Sequence, residues 1–235
     1  MPERPEALMI FAAGRGTRMG ALTRTRPKPL IRVAGRALID HALAQAEGAG
    51  VTRRVVNSHY LADQIEAHLA ARANDPPDSP PVAISHEPVL LDTGGALRAA
   101  LPLLGAGPVF TLNSDAVWAG PNPLAALRAG WHDRAEALLL LVPPERAHAR
   151  RAGGDFTLGP DGRLRRGGDL VYTGAQIIRT GALAEPEGPV FSLNAVWDAM
   201  ARRGTLYGIV HDGWWCDVGH PGGIRAAEAL LREWR

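Results

Sequence analysis

The chain has 235 residues, a net charge of +2 and one cysteine, Cys216. That length can bury a substantial core as one large α/β domain, and a lone cysteine excludes an internal disulfide and a cysteine-rich zinc site and fits a reducing, cytoplasmic compartment. Nucleic-acid and membrane roles are disfavoured. No long basic run interleaves with aromatics, no apolar run nears the ~20 residues of a bilayer span, and MPERPEALMIF lacks the regions of a signal peptide. The pairs Arg150/Arg151 and Arg165/Arg166 read as solvated surface.

In chain order, Ala7 to Phe11 predicts a buried strand, Ala37 to Ala49 a helix stopped by glycines, Arg53 to Asn57 a strand and Leu61 to Ala71 a helix. Asn74 to Pro81 is a proline-rich loop. Val82 to Ser85 (strand), Thr93 to Leu104 (helix), Val109 to Asn113 (strand), Pro123 to Trp131 (helix) and Leu138 to Val142 (strand) continue the alternation. It predicts an α/β fold, a Rossmann-like, mostly parallel sheet flanked by helices. Beyond it, Asp155 to Leu158, the turn GPDG and Leu164 form a hairpin. Val171 to Ile178 and Leu206 to Val210 are strands, and Gly223 to Trp234 is an amphipathic helix. No composition break marks a domain boundary. Gly153/Gly154 is the seam between a half of about 1–150 and a small β-rich half of about 151–235.

Chemistry concentrates at a few points. Lys28, in RPKPL, is the single lysine among 25 arginines. In so arginine-biased a chain, a retained lysine suggests work for a compact ammonium point charge. Upstream, in FAAGRGTRMG, the small residues Ala12, Ala13, Gly14 and Gly16 allow backbone N–H groups to approach phosphate oxygens. A Rossmann dinucleotide fingerprint is the competing reading, but it wants an acidic residue at the end of the second strand, which here ends at Asn57. Asp115, in VFTLNSDAVW, lies just past the carboxyl end of a strand, where ligands gather, and is a natural Mg²⁺ ligand or else a turn or cap aspartate. Asp217, in GWWCDVGHP, either completes a metal site with Asp115 or caps the last helix. Thr93, Gly94 and Gly95 open a helix, where absent side chains would let a flat base lie against backbone. The histidines form no HxxxH or HExxH pair and no GxSxG elbow exists, so zinc and covalent catalysis are not indicated.

AAGRGTRM, the following LT and PKPL resemble the signature of sugar-1-phosphate nucleotidyltransferases, and NSD, TGG, GGDF, YTGAQI and WWCDVGHP follow in that family's order over essentially the whole chain. The likeness is strongest to the branch acting on N-acetylmuramate α-1-phosphate with UTP. The resemblance implies a nucleotidyltransferase fold and an enzyme that joins an NTP to a sugar 1-phosphate with Mg²⁺. It implies nucleotide contacts from Gly16, Thr17 and Arg18, a phosphate-bridging Lys28, and Mg²⁺ on Asp115 and Asp217. Asn113 and Asp155 would bind the sugar, with Thr173 and Gly174 lining its pocket. Departures are Ala21 for the usual proline, Ser114 for the usual glycine, and Ser192 where a basic residue is common. Alternatives within the class are a mannose-1-phosphate guanylyltransferase and a glucose-1-phosphate thymidylyl- or uridylyltransferase. Outside it stand a non-catalytic sugar-nucleotide sensor and a nicotinamide oxidoreductase. Oligomeric state is not legible in the sequence.

Overall fold

The computed structural model describes residues 3–72, 81–150 and 153–234. The loop expected at 74–81 falls outside these residues except for Pro81, as does Arg151. Among the described residues, fourteen strands run in chain order: β1 (Ala7–Phe11), β2 (Arg32–Val33), β3 (Arg36–Ala37), β4 (Arg53–Ser58), β5 (Val82–His86), β6 (Pro108–Asn113) and β7 (Ala116–Ala119), then β8 (Ala137–Val142), β9 (Ala147–His148), β10 (Phe156–Leu158), β11 (Leu164–Arg166), β12 (Val171–Arg179), β13 (Leu206–Val210) and β14 (Trp214–Asp217). Six α-helices accompany them: α1 (Leu38–Gly48), α2 (Ala62–Arg72), α3 (Asp92–Leu104), α4 (Pro123–Gly130), α5 (Leu193–Arg203) and α6 (Pro221–Glu233).

The central sheet has seven strands in the order β13-β8-β12-β6-β1-β4-β5. Neighbours are parallel except at β12, which runs antiparallel to both β6 and β8. Alternation along β1 divides the core: Leu8 and Ile10 pack with Ile39 and Leu43 of α1 and Leu124 of α4, while Ala7 and Met9 pack with Leu97 of α3. A second, three-stranded sheet, β7-β14-β9, lies beside α6 over a smaller cluster that includes Met19, Val117 and Val218. The hairpin β10–β11 forms where expected, closed by a turn from Gly159 to Arg163.

Helix α5, the three-stranded sheet and the short β2–β3 pair have no counterpart among the elements expected from the sequence. The helical signal was present: Leu193, Val196, Trp197 and Met200 recur at the spacing of one buried face, Ser192 accepts from the Asn194 N–H, and Gly204 ends the helix in the left-handed region. Helix α6 starts at Pro221 behind His220 as N-cap, so Asp217 is not its cap.

His211, after β13, is 1% exposed and meets Trp118 edge to face at a centroid distance of 5.3 Å. Neither ring nitrogen is hydrogen-bonded within the described structure. Burial lowers its pKa from 6.5 to about 4. The unfolded chain therefore takes up this proton as the pH falls below about 6.5 while the folded chain does not, so stability drops between about pH 6.5 and 4. His211→Phe should flatten that dependence, read as the denaturant midpoint across a pH series. A slope identical to that of the unsubstituted protein would refute it.

Candidate active site

The β1–β6 register sets the site. Phe11 pairs with Asn113, so both strands end at one edge and both following loops start there. Ser114 reinforces the junction: its N–H and its Oγ both donate to the Phe11 carbonyl, the latter at 2.6 Å. The serine that stands in place of the usual glycine thus ties this turn down.

The stretch after β1 turns at Gly16 (φ 62°) into a 3-10 turn over Thr17–Thr23 and kinks at Gly20 (φ 60°). The first α-helix begins only at Leu38. A dinucleotide fingerprint requires its glycines to open the first helix, so that reading fails. Thr23 Oγ1 donates to the Gly16 carbonyl at 3.0 Å, and the Tyr60 hydroxyl donates to the Thr23 carbonyl at 2.8 Å, pinning the loop to the end of β4. A β-carbon at Gly16 would stand 2.9 Å from Lys28 Cβ and 3.0 Å from Thr23 Cγ2. Glycine is needed there twice, for its backbone angle and to let Lys28 lie close.

Lys28, only 8% exposed, donates from Nζ to Asp115 Oδ2 at 2.7 Å. Asp217 follows along β14, whose register places it opposite Ala116, and the Val218 N–H donates to the Asp115 carbonyl at 2.8 Å. Burial, then the charge of Asp115, raises the pKa of Asp217, with Lys28, Arg18 and His220 opposing. A β-carbon at Gly219 would lie 2.8 Å from both Asp217 oxygens and 3.1 Å from Arg18 Nη2, so its absence lets these groups converge. Two neighbouring carboxylates, with no cluster of three His, Cys, Asp or Glu ligands among the described residues, suit a Mg²⁺ that keeps most positions for water and phosphate. They do not suit a structural zinc.

Two cavities meet here. One, of about 580 Å³, is lined by Ala12, Ala13, Gly14, Gly16 and Thr17 and by Lys28. The other, of about 680 Å³, is lined by Asp155, Gly174 and Asp217. Arg18, Thr93, Asn113 and Asp115 line both. Asn113 lies over Gly174 (φ 80°), where a β-carbon would come within 2.7 Å of the Asn113 amide. A register shift in β12 between Tyr172 and Gln176 makes that approach possible. Asp155 accepts from Arg150 at 2.6 Å and from the Tyr172 N–H at 2.8 Å.

Three expected site residues lie elsewhere. Gly94 and Gly95 both donate their N–H groups to the Phe191 carbonyl, and their missing β-carbons are covered by Phe191 and Pro189. They seat the 189–191 segment and line neither cavity. Thr173, fully buried, turns its hydroxyl to the Leu140 carbonyl at 2.7 Å because the bulge rotates it into the core. The Ala12 N–H is already engaged by Asn57 Oδ1 at 2.6 Å, so Ala12 meets the cavity without a free amide.

The sequence reading missed Glu87. It lies just past β5, is 1% exposed, and accepts from Asn57 Nδ2 at 2.6 Å and from the Leu91 N–H at 2.9 Å. The strand-end rule that singles out Asp115 applies equally to Glu87. Arg150 and Arg166, expected as solvated surface, line the second cavity. Cys216 is fully buried, its thiol pushed up to about 12 by burial and then by Asp217, so it is an unreactive core residue.

The MobA-like NTP transferase domain family matches residues 8–153. The chain is 42% identical to N-acetylmuramate alpha-1-phosphate uridylyltransferase of Caulobacter vibrioides over 99% of this chain and 100% of that one. It is 36% identical to the protein of the same name from Neisseria meningitidis serogroup B, over 97% and 99%. The crystal structure of HddC from Yersinia pseudotuberculosis complexed with GMP-PN superposes with a TM-score of 0.77 at 20% identity, over 96% of this chain and 99% of that one, and shares the fold. With such matches over nearly its full length, the chain belongs to the MobA-like NTP transferase family, among its sugar-1-phosphate nucleotidyltransferases.

Proposed function

We propose that the chain transfers a uridylyl group from UTP to N-acetylmuramate α-1-phosphate, giving the UDP-sugar and pyrophosphate. The observation that carries the reaction type is the pair of cavities joined at Arg18, Asn113 and Asp115. Such a junction lets two ligands present their phosphates to each other. The full-length relatives named for this activity support the choice of base and sugar. In this reading residues 1–150 form the nucleotide half and 151–235 the acceptor half of one domain. The reaction takes place in the cytoplasm, where UTP is available; among the described residues no helix is long and apolar enough to cross a membrane.

The attacking oxygen of a sugar phosphate is already anionic, so no general base is needed. Catalysis reduces to positioning and to neutralising charge. Lys28, a point charge in the first cavity paired with Asp115 at the junction, would neutralise charge on the transferring phosphoryl group. Arg18, with the backbone of Gly14, Gly16 and Thr17, would hold the departing pyrophosphate. Asp115 and Asp217 would hold Mg²⁺, which when bound supplies Lewis-acid neutralisation of the α-phosphate. Asn113, Asp155 and Gly174 would orient the acceptor sugar.

Lys28→Ala should lower turnover by roughly 10²–10³-fold, the scale of losing one preorganised charge donor; turnover within tenfold of the parent enzyme would reject the assignment. Gly16→Ala should lower kcat/KM by about 10²-fold with the fold retained, because it displaces Lys28. A cooperative melt together with full activity would contradict that account. The reaction itself is tested by pyrophosphate release with UTP, GTP, dTTP and CTP crossed against the α-1-phosphates of N-acetylmuramate, N-acetylglucosamine, glucose and mannose. Preference for UTP with the muramate is expected. Preference for GTP with mannose would overturn the substrates and keep the mechanism, whereas silence throughout would favour a sensor.

A further inference from the structure

The second cavity contains two cations that the mechanism leaves without a task. Arg150 and Arg166 line it and take no part in the first cavity. Arg150 is committed within the site: it donates to Asp155, whose second oxygen holds the Tyr172 N–H. Arg166 is held from behind. Its Nε donates to Asp198 Oδ1 at 2.7 Å and its Nη2 to the Asn194 carbonyl at 3.1 Å. Its guanidinium carbon lies 4.9 Å from the Phe156 ring centre and 5.5 Å from that of Trp197.

These contacts fix the plane of the guanidinium, and no hydrogen bond among the described residues uses Nη1. Asp198 does not line the cavity, and its side chain is 47% exposed. Solvent screens such a pair, so it orients Arg166 at little energetic gain and does not use up its attraction for a second anion. The adjoining wall, Ser192 and Asn194, is uncharged. A preoriented guanidinium at a cavity wall matches a planar carboxylate.

The proposed acceptor carries such a group. N-acetylmuramate differs from N-acetylglucosamine by an ether-linked lactate, and the lactate carboxylate is its one additional charge. We propose that Arg166 is the specificity-determining residue that captures this carboxylate and selects a carboxylate-bearing sugar 1-phosphate. The inference rests on the acceptor assignment made above.

The test compares N-acetylmuramate α-1-phosphate with its lactamide analogue, in which the carboxylate is a neutral amide. kcat/KM with UTP is measured for the unsubstituted enzyme, Arg166→Gln and Arg166→Lys. The unsubstituted enzyme should prefer the acid by about 10- to 100-fold, the scale of one hydrogen-bonded charge. Arg166→Gln should bring the acid-to-amide ratio to about one, mainly through KM, with Arg166→Lys between. Because the ratio is taken within one preparation, partial misfolding lowers both values and leaves it unchanged. A preference for the acid that survives in Arg166→Gln overturns the role of Arg166 and leaves the acceptor assignment standing. An unsubstituted enzyme that ignores the lactate, treating acid, amide and N-acetylglucosamine α-1-phosphate alike, overturns both.

Discussion

Lys28 and Asp115 are 87 residues apart in the chain and 2.7 Å apart in space. Most of the local architecture serves that contact. The parallel pairing of β1 with β6 ends both strands at one edge, and Ser114 fastens the two loops that leave them. Gly16 clears the volume that the lysine stem occupies. As a contribution to stability the pair is worth little, because taking an ammonium and a carboxylate partly out of water offsets their attraction. Removing one partner is the costly change, since it strands the other charge in a half-buried place. A fold that maintains such a pair at a ligand-gathering sheet edge stores charge where a polyanion is to be received.

The antiparallel insertion of β12 between β6 and β8 produces the second cavity. A wholly parallel sheet would place a crossover helix at this point. The reversed strand instead brings its bulge beneath Asn113 and its Tyr172 N–H onto Asp155. Helix α5 then closes the side, with Trp197 donating to buried Gln176 of β12 at 2.9 Å and stacking edge-on with Tyr172. The second cavity therefore shares strands β6 and β12 of the central sheet, with Asn113 and Gly174 on its wall.

Arginine and lysine divide the electrostatic work by geometry. Arg98 binds the carbonyls of Leu183, Pro186 and Gly188 and lies over Phe191, fastening the segment that covers Gly94 and Gly95. Arg166 stacks on aromatic rings. These are uses of a planar fork with several donors. The single lysine lines the first cavity and pairs with Asp115, which lines both, so a rotating ammonium can turn from a carboxylate to a phosphate.

The sequence by itself determined the alternation of strands and helices, because apolar runs of strand length bounded by glycine and proline have few other stable arrangements. It also marked Gly16, Arg18, Lys28, Asp115 and Asp217 as candidates, because they lie at a glycine turn, at strand ends or, for Lys28, between two prolines; their convergence was decided by the tertiary structure. Only the tertiary structure decided which glycines face a ligand and which face the chain's own loops: Gly94 and Gly95 look locally like a cradle, but they are filled by a segment almost a hundred residues away. It alone decided that Thr173 turns inward, since that depends on a bulge fixed by two neighbouring strands. It alone brought Arg150 and Arg166 to the second cavity, because a charge separated in sequence from its partners carries no local signal of where it will be buried or aimed.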